Sequence, residues 1–433
     1  MTSARRTRRV LLPVLLACLA LLLVVGGTSA GQVGLPATVA FDPAVATLIA
    51  QVTTPTLADE LAGLTGERPV TVAGTLYTIT TRHSYQTEAI SLATRYAYEQ
   101  FAGLGLEVTY HDYTRNGNRW RNVAAEKPGV VDADALYLLT AHLDDMPPGE
   151  TAPGADDNGS GSVAVLLAAR LLAERHLAYT LRFVLFTGEE QGLHGSAAYA
   201  ADCKARGEDI RGVVNLDMIA YNSDAQPIVD LWGQSGVSDS LELTRLFADV
   251  IGVYSLNLLP DRRDVSGGFP IQYSDQWSFL QQGYPAMLAI EDWDDHTPAY
   301  HKVTDTLATL DLDYYADFTR AAIATVAHLG HLILGMGSLS GTVRALDTGS
   351  ALSATVVVPI PAYAYTFTVP TGAGGVYSLS LPVGGYTLTV TAPGYYSTTI
   401  AGVWVITDAV IVQDTALVPW PRWYLPLVLS AGP

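Results

Sequence analysis

Between residues 71 and 335 of this 433-residue chain, short apolar runs with strand character alternate with amphipathic stretches of helical period. The strand candidates are Glu107 to His111, Ala135 to Ala141, Leu181 to Thr187, Val213 to Leu216 and Pro285 to Ile290. Strands that alternate with helices can bury their apolar faces only in a largely parallel sheet covered on both sides. The expected fold class is therefore α/β, a three-layer α/β/α domain with a mostly parallel mixed central sheet. After Gly335 the texture changes to Val, Thr, Tyr, Pro and Gly with few charges, which predicts a small all-β sandwich over 336–418. That segment carries no His and no Cys, so no chemistry is assigned to it. An apolar, aromatic tail follows over 419–433, expected to be a last strand or docking segment. Ahead of the α/β region, residues 31–70 place Val45, Leu48, Ile49, Val52, Leu57, Leu61 and Leu64 at helical spacing. This stretch is read as either a propeptide or the first helical segment of the domain.

The first 30 residues run from basic (Arg5, Arg6, Arg8, Arg9) through apolar (Val10 to Val25) to small (Gly26 to Ala30). That order reads as an export signal cleaved after Ala30, and it implies a secreted or extracellular protein, with surface association as a variant. A retained anchor is the alternative, because the run approaches the roughly 20 residues that span a bilayer. Thr7-Arg8-Arg9 weakly matches the twin-arginine route, and Leu15 to Cys18 weakly matches a lipoprotein box, although the apolar run continues past Cys18. Only Cys203 lies beyond the signal, so no intramolecular disulfide is possible in the processed chain. The formal charge of −18 becomes about −22 once the four signal arginines are removed. This excess disfavours nucleic acid and anionic membranes as partners and suits a cation binder, with no stable membrane insertion after signal removal. Oligomeric state is left open.

In an open α/β sheet ligands gather beyond the carboxyl ends of the strands. Three of the apolar runs here lead directly into side chains of metal-binding type: Leu136 to Ala141 into His142 and Asp144, Leu181 to Thr187 into Glu189 and Glu190, and Val213 to Leu216 into Asp217. A glycine-rich loop, Pro153 to Gly161, carries Asp156 and Asp157 into an apolar helix. No Lys follows as a phosphate cradle requires, so a carboxylate that bridges two cations is the better reading.

Five blocks, His142-Leu-Asp144, Pro153-Gly-Ala-Asp-Asp-Asn158, Thr187-Gly-Glu-Glu-Gln-Gly192, Asn215-Leu-Asp217 and Tyr300-His301, resemble in order and type the secreted di-zinc aminopeptidases of bacteria, the leucyl aminopeptidase and aminopeptidase Y type. The C-terminal segment resembles the carboxypeptidase-regulatory-like sandwich often appended to secreted peptidases. The resemblance implies two Zn²⁺ ions, with Asp157 bridging both, His142 and Asp217 on one, and Glu190 and His301 on the other. Two Zn²⁺ against three carboxylates leave a single positive charge, which one bridging hydroxide balances while serving as nucleophile. It further implies Glu189 as general base, Asp144 as the residue that orients the non-ligating nitrogen of His142, and Tyr300 as a donor to the oxyanion. The expected partners are peptides or proteins with a free N-terminus.

His194 and His296 are weaker alternatives as ligands, and His83, His111, His176, His328 and His331 read as surface or packing residues. The chain departs from the family at Ser274-Asp275-Gln276, where Gln replaces His; Trp277, Phe279 and Trp293 nearby are candidates for an apolar side-chain pocket. A carboxypeptidase or a glutaminyl cyclase on the same fold is the alternative activity. A binding or adhesion protein on a dead peptidase scaffold is the alternative class, although no ligand position is lost. A serine hydrolase lacks its Gly-x-Ser-x-Gly elbow.

Overall fold

The computed structural model describes residues 26–29, 35, 38–265 and 271–421. The predicted signal through Val25, its cleavage point at Ala30, and the tail from residue 422 onward lie outside the described residues. The backbone of Gly26–Ser29 pairs antiparallel with residues 365–368 of the C-terminal region.

The helical pattern ahead of the sheet forms two helices, α1 (Pro43–Ile49) and α2 (Thr54–Leu64). Asp42 and Thr53 each accept a hydrogen bond from a backbone amide of the following first turn, and each helix opens on a proline in its first turn, so the pattern breaks at 50–53. Leu48, Val52, Leu57 and Leu61 are buried. A short hairpin over 70–77 follows, and the elements of the main sheet and its helical layers are then, in chain order, α3 (Thr87–Gly103), β1 (Glu107–Arg115), β2 (Asn118–Lys127), β3 (Asp132–His142), α4 (Gly161–Leu172), β4 (Tyr179–Phe186), α5 (His194–Arg206), β5 (Asp209–Asp217), β6 (Ile228–Gly233), α6 (Ser240–Val253), β7 (Leu259–Asp264), α7 (Gln276–Gln281), β8 (Ala286–Glu291) and α8 (Leu312–Leu329).

The eight strands form one mixed sheet in the order β7-β6-β8-β5-β3-β4-β2-β1. The central run β8-β5-β3-β4 is parallel, while β2 runs antiparallel to β4, β1 to β2, and β6 to β8. Alternate residues of β3 divide between two cores, as strand geometry requires. Tyr137, Leu139 and Ala141 join the core built with α1 to α4, α6 and α8, whereas Leu136 and Leu138 join Val184, Phe186 and the inner faces of α5 and α7. This is the expected α/β/α arrangement. Sequence alone misses β2, β6 and β7; β7 is a mostly exposed edge strand of sequence Leu-Pro-Asp-Arg-Arg-Asp, with no apolar alternation to announce it.

Strands β9 (Met336–Ala345), β10 (Thr355–Ile360), β11 (Tyr365–Pro370), β12 (Val376–Pro382), β13 (Gly384–Thr391), β14 (Thr398–Val405), β15 (Val410–Val412) and β16 (Thr415–Leu417) form the all-β region. One sheet has the order β11-β10-β13-β14, and the other is β12-β9-β15 with β16 also on β9. In/out alternation of burial along β9, and along β12 as far as Leu381, marks their inner faces. This region docks at the amino ends of β3 and β4. There Tyr363 packs edge-on against Tyr179 at 6.3 Å and against His331 at 5.5 Å. Strand β3 is eleven residues long, so the docking surface and the strand's carboxyl end stand about 35 Å apart.

Candidate metal centre

The carboxyl ends of β3, β4 and β5 deliver His142, the Gly188-Glu189-Glu190 turn and Asp217 to one edge of the sheet. The loop before α4 adds Asp157, and the loop after β8 adds His301. All five residues that the sequence picked as ligands meet here.

The two oxygens of Asp157 face different histidines: Oδ1 lies 3.3 Å from His142 Nε2, and Oδ2 lies 3.3 Å from His301 Nε2. Each histidine has its own second carboxylate. Asp217 Oδ1 is 3.2 Å from His142 Nε2, and Glu190 Oε2 is 2.9 Å from His301 Nε2. Donors bound at about 2.0–2.2 Å to one tetrahedral zinc stand roughly 3.3 Å apart, so these spacings fit two ions that share Asp157. Glu190 Oε1 is buried and has no hydrogen-bond partner, an orphan acceptor that a cation would satisfy.

The electrostatics carry the same message. Burial lowers the affinity of His142 for a proton, but Asp217, Glu189 and Asp157 outweigh it and drive the ring well above its ordinary value. His301 is pushed up to about 10: burial opposes the shift, and Asp157 and Glu190 outweigh it. Burial, reinforced by Asp157, raises Glu190 to about 8, and burial raises Glu189 well above the carboxylate range. Asp157 moves the other way, because its bonds to the two histidines outweigh its burial. Without cations, this cluster recruits protons to offset its buried negative charge.

The turn that bears Glu189 has strict local requirements. Gly188 adopts φ +70°, and a Cβ there would stand 2.7 Å from Tyr113 Oη, so only glycine fits. Tyr113 Oη donates to the Thr187 carbonyl at 2.6 Å, and the Thr187 amide donates to Asn122 Oδ1 at 3.0 Å. An oxygen of Glu189 lies within 4.8 Å of donors from both His142 and Asp217, at the lip of that ion position.

Asp144 behaves differently from expectation. His142 Nδ1 meets the Asp144 carbonyl oxygen at 3.0 Å, while the carboxylate stands 3.9 Å away. Strand β3 ends at His142, and the turn beyond it presents the backbone of Asp144 to the ring. The carboxylate instead accepts from Ser84 Oγ at 3.0 Å and from the Glu189 amide at 3.3 Å. Ser84 Oγ in turn accepts from the Gly188 amide at 2.9 Å. Asp144 thus braces the Glu189 turn, and Ser84, which the sequence did not single out, completes the brace. Ser274 is similar: its Oγ donates to Asp217 Oδ2 at 2.6 Å and accepts from Asn215 Nδ2 at 2.8 Å.

Two cavities flank the cluster. An inner one of about 260 Å³ ends among Met218, Trp232, Leu288, Ile290 and Trp293. An outer, open one of about 620 Å³ runs past Leu193, Gln272, Trp277 and Gln281. Tyr300 lines both, its ring stacked on His301 at 3.7 Å between centroids. Burial and the nearby carboxylates raise the Tyr300 phenol, which therefore stays a proton donor. Of the three aromatic pocket candidates, Trp293 lines the inner cavity and Trp277 the outer. Phe279 does not; it is wholly buried against Phe186 and Tyr199, where the helix α7 pattern points it into the core. His194 stacks on Trp120 and His296 on Trp293, both outside the five-residue cluster.

Residues 122–326 match peptidase family M28, and residues 338–418 match the carboxypeptidase regulatory-like domain. A probable leucine aminopeptidase of Trichophyton verrucosum is 29% identical over 221 residues, which are 48% of this chain and 57% of that protein. The chain thus spans a little over half the length of the curated relatives it matches. Among solved structures, the LapA aminopeptidase of Legionella pneumophila superposes with a TM-score of 0.54 at 20% identity, covering 66% of this chain and 75% of that one. A glutaminyl cyclase of Fimbriiglobus ruber superposes with a TM-score of 0.52 at 17% identity, covering 69% and 99%. At these identities the structural likenesses concern the fold.

Proposed function

We propose that this chain, whose residues 122–326 are a peptidase family M28 domain, is an exported, zinc-dependent aminopeptidase that removes N-terminal residues from peptides. The observation that carries this reading is the Asp157 carboxylate with one oxygen toward each of two histidines, each histidine backed by a further carboxylate. His142, Asp157 and Asp217 would hold one Zn²⁺, and Glu190, Asp157 and His301 the other. When bound, such a pair supplies Lewis acidity for the scissile carbonyl and for the attacking water.

The chain's own residues do the rest. Glu189, with its proton affinity raised by burial, accepts the proton of the attacking water and returns it to the leaving amine. The neutral Tyr300 phenol donates to the oxygen that gains charge. The inner apolar cavity accepts the first side chain, and the open cavity accepts the peptide beyond the cut bond. No lysine or arginine lines either cavity among the described residues, so a substrate carboxylate finds no cation there, while the cluster's acids attract an α-ammonium. This favours an aminopeptidase over a carboxypeptidase. Five retained donors favour it over a single-zinc cyclase. Export rests on the basic, apolar and small order of residues 5–30. Among the described residues no helix is long and apolar enough to cross a membrane.

The test is a panel of aminoacyl chromogenic substrates beside their N-blocked equivalents, an N-terminal glutaminyl peptide and a C-terminal ladder, with zinc content measured in parallel. Cleavage of free-amine substrates only, abolished by a chelator and restored by zinc, is the expected result. Cyclisation of glutamine without hydrolysis, or equal cleavage of blocked substrates, would overturn the reading.

A further inference from the structure

Arg82 is wholly buried between the 70–77 hairpin and α3, yet it touches no proposed ligand. Its guanidinium reaches four backbone carbonyls in three separate segments. Nε donates to Leu143 at 2.7 Å, Nη1 to Leu64 at 2.9 Å and Pro153 at 2.8 Å, and Nη2 to Gly154 at 2.9 Å. Asp145, 3.4 Å from Nη1, supplies the counter-charge and also accepts the Arg82 amide at 2.8 Å. Leu143 directly succeeds His142, and Pro153 and Gly154 open the loop that presents Asp157. Gly154 sits at φ +48°, where a Cβ would stand 2.9 Å from Arg82 Nη2.

The same loop is gripped from its other side by Asp305. Its Oδ1 accepts the Asp156 amide and its Oδ2 the Asp157 amide, both at 3.0 Å, and its own carbonyl accepts the Ala155 amide at 3.2 Å. The loop's own bonding reaches the Gly154 carbonyl, which also accepts the Gly159 amide at 2.9 Å, but Asp157 and Asn158 depart from helical φ/ψ, so the regular ladder is broken there. The buried Arg82 guanidinium therefore holds the carbonyls at the loop's entry, and the buried Asp305 carboxyl group holds the amides at Asp157. The charge-assisted bonds of the guanidinium fix geometry more firmly than neutral ones.

We infer that Arg82 and Asp305 are paired positioning residues that set the tilt of the Asp157 carboxylate, so that one oxygen is offered to each ion position. The inference rests on the reading of Asp157 as the shared ligand. Because Asp157 serves both positions, disturbing its tilt weakens both ions together. Loss of an outer partner of a metal ligand typically weakens metal binding about tenfold to a hundredfold.

The experiment measures zinc stoichiometry and affinity by competition with a chelator of known affinity, on the full chain, for the wild type, R82K, D305N and R182K. Arg182 is a control: it is nearly as buried, with its side chain paired to Glu126 and Glu208 on the α5 side of the sheet. Thermal midpoints of the metal-free proteins are recorded alongside. The expected result is that R82K and D305N keep metal-free midpoints within a few degrees of the wild type, yet hold both zinc ions ten to a hundred times more weakly and lose them together, while R182K binds zinc normally. If R82K does not fold, D305N decides. Wild-type affinity in R82K and D305N, or an equal loss in R182K, overturns the inference. A wild type that binds no zinc overturns instead the reading of the site on which it rests.

Discussion

The two ends of the central sheet handle buried charge in opposite ways. At the amino ends, Arg211 sits between Asp132 and Asp209 at 3.1 and 2.8 Å, and its guanidinium lies 5.4 Å from the centre of the Tyr179 ring. Cation meets anion, and the sandwich closes over the result. At the carboxyl ends, Asp157, Asp217, Glu189 and Glu190 converge with two histidines and no lysine or arginine among them. Since an unpaired buried charge is among the costliest things a fold can keep, the imbalance marks where an external cation belongs. The amino end is finished by the polypeptide itself; the carboxyl end, on the reading proposed above, would be finished by the cations it binds.

Changes at the carboxyl end should therefore alter chemistry, and changes at the amino end only stability. The largest expected effect is Glu189→Gln, which should lower kcat about 10² to 10⁴-fold while zinc content, measured by elemental analysis, stays at the wild-type value. Full activity in a zinc-loaded E189Q protein would remove Glu189 as the base. Next comes Tyr300→Phe, expected to lower kcat about a hundredfold with KM little changed, since the hydroxyl acts on charge that develops during reaction. An effect confined to KM would make Tyr300 a wall of the cavity.

A third expectation concerns pH. In the metal-free protein Glu190 is raised to about 8 and Asp275 to about 7, in each case chiefly by burial, so the folded state keeps protons that the unfolded chain has released above about 4.5. Stability should then fall as pH rises from 5 to 8, on the order of 1.4 kcal/mol per pH unit for each proton so retained. Calorimetry of metal-free and zinc-loaded protein across that range tests it; the loaded form should lose less, because a bound cation would take the place of the proton on Glu190. A metal-free protein that gains stability from pH 5 to 8 would contradict the proposed imbalance. The smallest effect is Tyr363→Ala at the sandwich contact, expected to cost about 1 kcal/mol through lost aromatic packing and to leave kcat/KM unchanged. A change in kcat/KM would show that the two ends communicate.

The same physical divide separates the residues legible in the sequence from those hidden in it. Side chains that end apolar strands, such as His142, Glu190 and Asp217, are legible because strand and helix alternation fixes where strand ends go. Arg82, Ser84 and Asp305 are not, because each lies in irregular chain and acts by bonding to distant backbone; Asp305 meets the Asp156 amide 149 residues away. Nothing periodic marks such a residue among 42 acidic ones. Asp144 shows the intermediate case. Its position two residues after His142 suggests a carboxylate tied to the ring, but the end of β3 at His142 turns the carbonyl, rather than the carboxylate, toward it. Strand β7 is hidden for a simpler reason, since an exposed edge has no apolar face to display.

The spacing between Arg82, Asp157 and Asp305 also bears on when the centre can come into being. Its parts are recruited from the end of α2, from three strand ends in the middle of the domain and from the loop past β8, so no subset of neighbouring residues contains a complete donor set. A growing chain has neither His301 nor the Asp305 grip until nearly the whole α/β domain has emerged. On the proposed reading one position has its donors once Asp217 has emerged, whereas the second is completed late, with His301, and occupancy of both would read out molecules whose domain has closed.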